Sequence, residues 1–244
     1  MTPARSESNI KKITELFSSH QVIDNFLTEK EIEFFLTFRK TLPKQSFLDH
    51  NRKTFDLSLT NHNQIPDFFH LRLGQFIKNY KMRLAYFMDR ESPFQLHCDS
   101  GNNPEEIPYK NLILSLDCDG NQGKLVLFKQ YGLRSLFFVD KDNPNIYFQD
   151  IKKAEHGPVF DRTCENYQFI RNLNFSSKSV SGDNIFHHIK PAHLDGFEID
   201  AIIEHKFNRL IIFDACQFHC SADSYPENYG VSRRFTTFTS YEGA

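Results

Sequence analysis

The sequence predicts a mostly β domain with flanking α-helices, a barrel or double-sheet jelly roll carrying its helices on one face. Three observations carry this expectation. Two apolar stripes at helical spacing fall before residue 83. From Arg83 onward, short apolar or alternating runs replace them. Turn signals separate those runs, and neither a repeat nor a low-complexity linker divides the 244 residues.

The chain opens with a polar lead in which a short helix is expected around Ile10–Phe17. Val22-Ile23-Asp24-Asn25-Phe26-Leu27 is a short apolar segment. Thr28-Glu29-Lys30-Glu31 then reads as a capping box, with Thr28 as N-cap and Glu31 reaching back to it. Ile32, Phe35, Leu36 and Leu42 follow at roughly helical spacing. A second helix is expected from Pro66 to Tyr80, with proline at its start and Phe69, Leu73, Phe76, Ile77 and Tyr80 on one stripe. Both stripes are ordinary core faces.

Strands are expected at Leu84–Met88, Asn111–Leu116, Lys124–Phe128, Ser135–Val139, Arg209–Phe213 and Arg234–Tyr241. The punctuation is Asp119-Gly120-Asn121, Asp142-Asn143-Pro144 and Pro226-Glu227-Asn228. Residues 140–207 are the least regular stretch. The organisation this implies is one domain over 1–244. Residues 1–82 form a helical support, 83–139 and 208–241 the β core, and 140–207 an insertion facing the substrate or covering the site.

Composition narrows the class. A chain of this length buries a substantial core. No run approaches the roughly 18 apolar residues of a membrane span. Met1–Lys12 lacks the apolar stretch of a secretory signal, so the protein is expected in the cytoplasm and off the membrane. The net charge of −2 supplies no global field for nucleic acid. The five cysteines, Cys98, Cys118, Cys164, Cys216 and Cys220, are odd in number and scattered, which argues against a secreted disulfide framework. The 26 Phe suit strand-rich packing.

The chemistry centres on His97-Cys98-Asp99. In a strand, positions i and i+2 share a face, so His97 and Asp99 would stand side by side with Cys98 turned away. A third ligand is available in His219, which follows the apolar run Arg209-Leu210-Ile211-Ile212-Phe213 and precedes a polar turn over Cys220–Val231. Two imidazoles and a carboxylate form a facial triad suited to Fe(II), with the opposite face left open. Downstream, Arg233 and Arg234 begin an alternating run, so one points inward and the other outward. A buried arginine needs a partner, and a carboxylate is its best one.

Other readings use the same residues. Cys216, His219 and Cys220 are clustered and could contribute to a zinc site, although Cys-x3-Cys lacks a second pair. Cys98 or Cys216 could be a thiol nucleophile with a histidine base. A non-catalytic jelly-roll binding module is the alternative from another class. His187, His188 and His193 could form a second metal site or a solvated loop, and Lys152-Lys153 reads as a solvated face.

With these residues in view, the chain resembles the Fe(II)/2-oxoglutarate-dependent dioxygenases, and within them the prolyl-4-hydroxylase-like branch. The family pattern of His-x-Asp, a distal His and a basic residue on the following strand is matched by His97, Asp99, His219 and Arg234. Arg234-Phe235-Thr236-Thr237-Phe238 is similar to the family's arginine strand, which favours Arg234 over Arg233. Val22–Leu27 with its capped helix, and Gly123–Phe128, are similar to family segments as well. The likeness covers about 22–130 and 208–241, and the His97-to-His219 gap is longer than usual.

The resemblance implies a double-stranded β-helix with iron at its open end, to which the N-terminal helices and the 140–207 insertion between core strands are added. It implies Fe(II), 2-oxoglutarate and O2, with decarboxylation to succinate and CO2. Arg234 would hold the far carboxylate of 2-oxoglutarate, Thr236 would add a hydrogen bond, and Tyr86 would line the same pocket. The carboxylate at Asp99 favours hydroxylation, since related halogenases lack it. The substrate class implied is a prolyl or other peptidyl side chain, or a free amino acid or small metabolite. A nucleic-acid demethylase is disfavoured by the near-neutral charge.

Overall fold

The computed structural model describes residues 6–42, 45–46, 53–56, 65–90, 93–94, 96–100, 103–117, 123–133, 169–171, 185–189, 194, 197–222 and 232–243. The expected strand at Ser135–Val139, the three turn signals, Cys118, Cys164, Lys152-Lys153 and His193 lie outside them.

Local sequence sets the helical support. Helix α1 (Glu7–Glu15) starts at Ser6, whose hydroxyl accepts from the Asn9 amide. Strand β1 (Gln21–Ile23) leads to α2 (Glu29–Thr41), and the Thr28/Glu31 capping box forms in both directions. Short strands β2 (Gln45–Ser46) and β3 (Lys53–Asp56) precede α3 (Asp67–Leu73).

The helix expected to reach Tyr80 stops at Leu73. Gly74 caps it, the chain turns through Asn79 at φ 53°, and Tyr80 opens a strand paired with Tyr241. Sheet pairing therefore overrides helical periodicity there. The apolar stripe still reaches the core: Phe69, Leu73 and Ile77 are buried, with Phe76 and Tyr80 packed against them.

The β core comprises β4 (Tyr80–Arg90), β5 (Pro108–Ser115), β6 (Lys124–Gly132), β7 (Phe169–Arg171), β8 (Ile199–Glu204), β9 (Leu210–Asp214), β10 (Gln217–Ala222) and β11 (Ser232–Tyr241). A seven-stranded sheet runs β1-β9-β5-β11-β4-β3-β2. A second sheet runs β10-β6-β7, with β8 also on β6. The result is a double-stranded β-helix, mostly β with helices on one face. Strands β7 and β8 belong to the 140–207 segment, and both pair with β6.

Register assigns the faces. Residues directly opposite across strands share a face. Arg234 therefore lies with Met88 and Ser115, Thr236 with Tyr86 and Ile113, and Phe238 with Leu84 and Asn111. This inner face packs on Leu125, Leu127 and Ile203 of the second sheet through Ile113, Ile211 and Phe213. The alternate residues, such as Phe87, Leu112, Leu114 and Phe235, form the largest apolar cluster with Phe35 and Phe69 of the helices. Each such side chain contributes about 1.5–3 kcal/mol on full burial. On the outer face of the second sheet, Val126, Phe128 and Phe218 lie under Phe186, Leu194 and Phe197.

Candidate metal centre

Backbone pairing brings the first two candidate ligands together. The His97 amide donates to the His219 carbonyl at 3.0 Å, and the His219 amide donates to the His97 carbonyl at 2.8 Å. His97 thus extends the free edge of β10 by one bridged residue. The Asp99 amide then donates to the Ala215 carbonyl at 2.9 Å, fixing the chain two residues on. Cys98, between them, turns into the outer cluster of the second sheet, as strand alternation requires.

The side chains converge. His97, Asp99 and His219 each present one ligand atom, and these atoms lie within 4.8 Å of one another. His219 Nε2 is 3.2 Å from Asp99 Oδ2, and His97 Nε2 is 3.7 Å from Asp99 Oδ1. His219 is buried, whereas His97 and Asp99 are partly open to solvent. His219 Nδ1 lies 2.9 Å from the Gln217 carbonyl. A carbonyl only accepts, so Nδ1 carries a proton toward Gln217 and Nε2 is the ring nitrogen turned toward Asp99. Gln217 is anchored through its own Nε2 to the Phe128 carbonyl and Asp200. The Phe213 ring stands edge-on to the His219 imidazole, with centroids 4.8 Å apart.

Burial by itself would raise the Asp99 carboxyl. His97, then His219 and Asn111, outweigh that and hold it below the ordinary carboxylate range. The site therefore presents an ionised oxygen donor and two imidazole nitrogens, a set suited to a first-row divalent metal.

Behind the triad the inner face is layered. Phe238 and Asn111 form the layer beside Asp99, Thr236 and Tyr86 the next, and Arg234 and Ser115 the last. Arg234 is only 2 % exposed, and its Nε donates to the Ser232 hydroxyl at 2.7 Å. Arg233 points the other way. It is 43 % exposed and pairs with Asp117 at 2.8 Å and Asp89 at 3.7 Å. Tyr86 stacks on Phe238. In front, a groove of about 600 Å³ opens from Asp99 along the ends of β4 and β11, walled in part by Arg83, Glu106, Phe238 and Ser240.

His219 follows strand β9, as its sequence context suggests, but it sits inside a further strand, β10, which runs on to Ala222 where a polar turn is expected. Strand β10 pairs with β6, placing His219 opposite Leu127. The zinc reading loses its geometry. Cys216 lies with Ile13 and Tyr131, while Cys220 faces the outer cluster opposite to His219. Cys98, the candidate thiol nucleophile, is buried facing away from the imidazoles. His188 Nε2 contacts the Phe94 carbonyl at 2.9 Å. Among the described residues, His97, Asp99 and His219 form the one group of three able to share a metal.

Two features escape sequence reasoning. Asn111 donates to Asp99 Oδ2 at 2.7 Å from β5. Ser115, opposite Arg234, meets His205 Nδ1 at 3.2 Å in a buried contact. Only strand register brings either pair together.

No family model matches the sequence, and no curated protein matches it. Solved structures do share the fold. The non-heme α-ketoglutarate-dependent carbocyclase SnoK from nogalamycin biosynthesis aligns with a TM-score of 0.51 at 11% identity, covering 97% of this chain and 84% of its own. The non-heme α-ketoglutarate-dependent epimerase SnoN from nogalamycin biosynthesis gives a TM-score of 0.51 at 7% identity, covering 97% and 84%. HygX from Streptomyces hygroscopicus, with nickel and 2-oxoglutarate bound, gives 0.50 at 14% identity, covering 98% and 88%. At these identities the likeness is one of fold.

Proposed function

We propose that the protein is an Fe(II)- and 2-oxoglutarate-dependent dioxygenase that hydroxylates an unactivated C–H bond. The observation that carries this reading is the convergence of His97, Asp99 and His219 at the open end of the β-helix, with the buried Arg234 two layers behind. The residues fit the group. Two nitrogens and one ionised oxygen cap one face of a metal and leave the other open. Solved proteins of this fold that bind 2-oxoglutarate with a divalent metal add weight.

Iron and 2-oxoglutarate, when bound, supply the oxygen-activating redox chemistry, with O2 consumed and succinate and CO2 formed. The protein's part is to bind and orient. His219 is oriented for ligation, because its Nδ1–H donates to the Gln217 carbonyl and turns Nε2 toward Asp99. Asp99 arrives ionised. Arg234 meets the distal carboxylate of the cosubstrate, where burial makes a charge-assisted pair strong. Thr236 adds a hydroxyl from the same face, and Tyr86 walls that layer. Ile113, Ile211 and Phe213 make the inner face apolar between the triad and Arg234.

The groove before Asp99 has the volume of a small-molecule site. A free amino acid, another small metabolite or a single peptidyl side chain fits that volume, and a prolyl side chain is the case the prolyl-4-hydroxylase-like resemblance favours. The net charge of −2 argues against nucleic acid. Among the described residues no helix is long and apolar enough to cross a membrane. A cytoplasmic setting suits the scattered cysteines.

The test is anaerobic addition of Fe(II) followed by 2-oxoglutarate, reading the visible charge-transfer band of the chelate. A band in the wild type that is lost in Asp99→Ala with His219→Ala supports the reading. No band in the wild type sinks it and leaves the non-catalytic binding module, which would not consume 2-oxoglutarate.

A further inference from the structure

Asp99 sits in a partly open site, and a carboxylate there could offer a metal one oxygen or both. Asn111 bears on that choice. It lies on the inner face of β5, only 1 % exposed, and its Nδ2 donates to Asp99 Oδ2 at 2.7 Å. That leaves Oδ1, 3.7 Å from His97 Nε2, without this donor.

The other half of the Asn111 amide is unusual. Its Oδ1 is buried and has no hydrogen-bond partner among the described residues. A buried acceptor left unpaired costs about 1–3 kcal/mol. A leucine of the same branched shape would avoid that cost, but it would give Asp99 no donor. A lysine or arginine would supply a donor but would also cancel the carboxylate's charge. Asparagine gives a donor with no charge, from a position beside Phe238 in the layer of Asp99.

We propose that Asn111 is a positioning residue of the metal centre. It commits Asp99 Oδ2 to a hydrogen bond, so that Asp99 ligates a divalent metal through Oδ1 alone. Its own Oδ1 waits for a hydrogen-bond donor that enters with the loaded site. A one-oxygen ligand keeps an additional coordination position open for cosubstrate and oxygen. This inference rests on the metal-centre reading above.

The test uses metal alone. Ni(II) is chosen because it binds nitrogen and oxygen sites more tightly than Fe(II), which keeps weakened variants measurable. Titration of the wild type, Asn111→Leu and Asn111→Ala should show affinity falling about 10–100-fold in both variants, the usual effect of losing an outer-shell partner. In an Asp99→Ala background, adding Asn111→Leu should cause no further loss, because the effect runs through Asp99. Thermal unfolding of the metal-free proteins separates these effects from general destabilisation. Unchanged Ni(II) affinity in both Asn111 variants overturns this inference alone. An equal loss with and without Asp99 overturns it too, since a purely structural role would behave that way. Failure of the wild type to bind Ni(II) overturns both this inference and the metal-centre reading.

Discussion

His97 and His219 hold each other by their backbones, each amide donating to the other's carbonyl at 3.0 and 2.8 Å. In an antiparallel ladder such a doubly bonded pair places both side chains on one face. The imidazoles accordingly lie with centroids 4.2 Å apart. Main-chain bonds set this approach, so it survives loss of either side chain. His219→Ala should weaken divalent-metal affinity by more than about a hundredfold, beyond what outer-shell partners cost. The metal-free protein should keep its far-ultraviolet circular dichroism. If the spectrum collapses as well, the imidazole is a folding element first.

The two adjacent arginines should behave differently. Arg234 is buried on the inner face, whereas Arg233 is half-exposed and paired with Asp117. Truncating one partner of a buried charge pair costs about 2–5 kcal/mol, against about 0–1 kcal/mol for an exposed one. Arg234→Ala should therefore weaken 2-oxoglutarate binding strongly, and Arg233→Ala hardly at all. Calorimetric titration in the presence of metal reads both, and equal losses would mean that the cosubstrate does not lie along the inner face.

Lys110 and Asp214 form a buried ion pair between β5 and β9. The same ammonium donates to the Leu16 carbonyl and the Ser18 hydroxyl, and Asp214 accepts from the Ser18 amide and Tyr131. The pair therefore ties the segment after α1 to the sheet. Lys110→Met alone leaves an unpaired buried carboxylate and should cost about 3–5 kcal/mol. Lys110→Met combined with Asp214→Leu should recover much of that loss, because the interior no longer holds a lone charge. Urea unfolding of the two variants checks it; a double variant no better than the single would assign the stability to the Ser18 contacts.

Much of this was legible in the chain. Period-2 spacing separates His97 and Asp99 from Cys98, and the structure follows it. The same alternation requires one of Arg233 and Arg234 to point inward, the resemblance favours Arg234, and Arg234 is the buried one. The capping box at Thr28 is local and forms as written. What was hidden depends on register. Asn111 looks like any polar position in a strand until β5 is laid beside Phe238 and Asp99. Nothing local to Lys110 in the sequence marks its partner Asp214, which lies 104 residues away. The helical stripe that runs past Leu73 fails for a related reason: Tyr80 pairs with Tyr241 in the sheet, a partner that local spacing does not reveal.

Glu31 closes the α2 capping box and also reaches across to α3. Its Oε2 accepts from the Thr28 amide at 2.7 Å, and Arg72 Nε donates to both carboxylate oxygens at 3.0 and 2.8 Å. Burial would raise this carboxyl, but the Arg72 and Thr28 donors together hold it below the ordinary glutamate value. A carboxyl lowered on folding contributes stability that is fully present above its unfolded value, about 4.3. That stability is lost as pH falls through the lower folded value. Glu31→Gln keeps an acceptor for Thr28 but removes the charge facing Arg72. The variant should be about 0.5–1 kcal/mol less stable than the wild type at neutral pH. The gap should hold down to about pH 5 and close below about pH 4. Parallel denaturant titrations across that range measure it. A gap that stays constant into acid would mean the carboxylate's charge adds nothing, and that Glu31 serves α2 through its capping geometry alone.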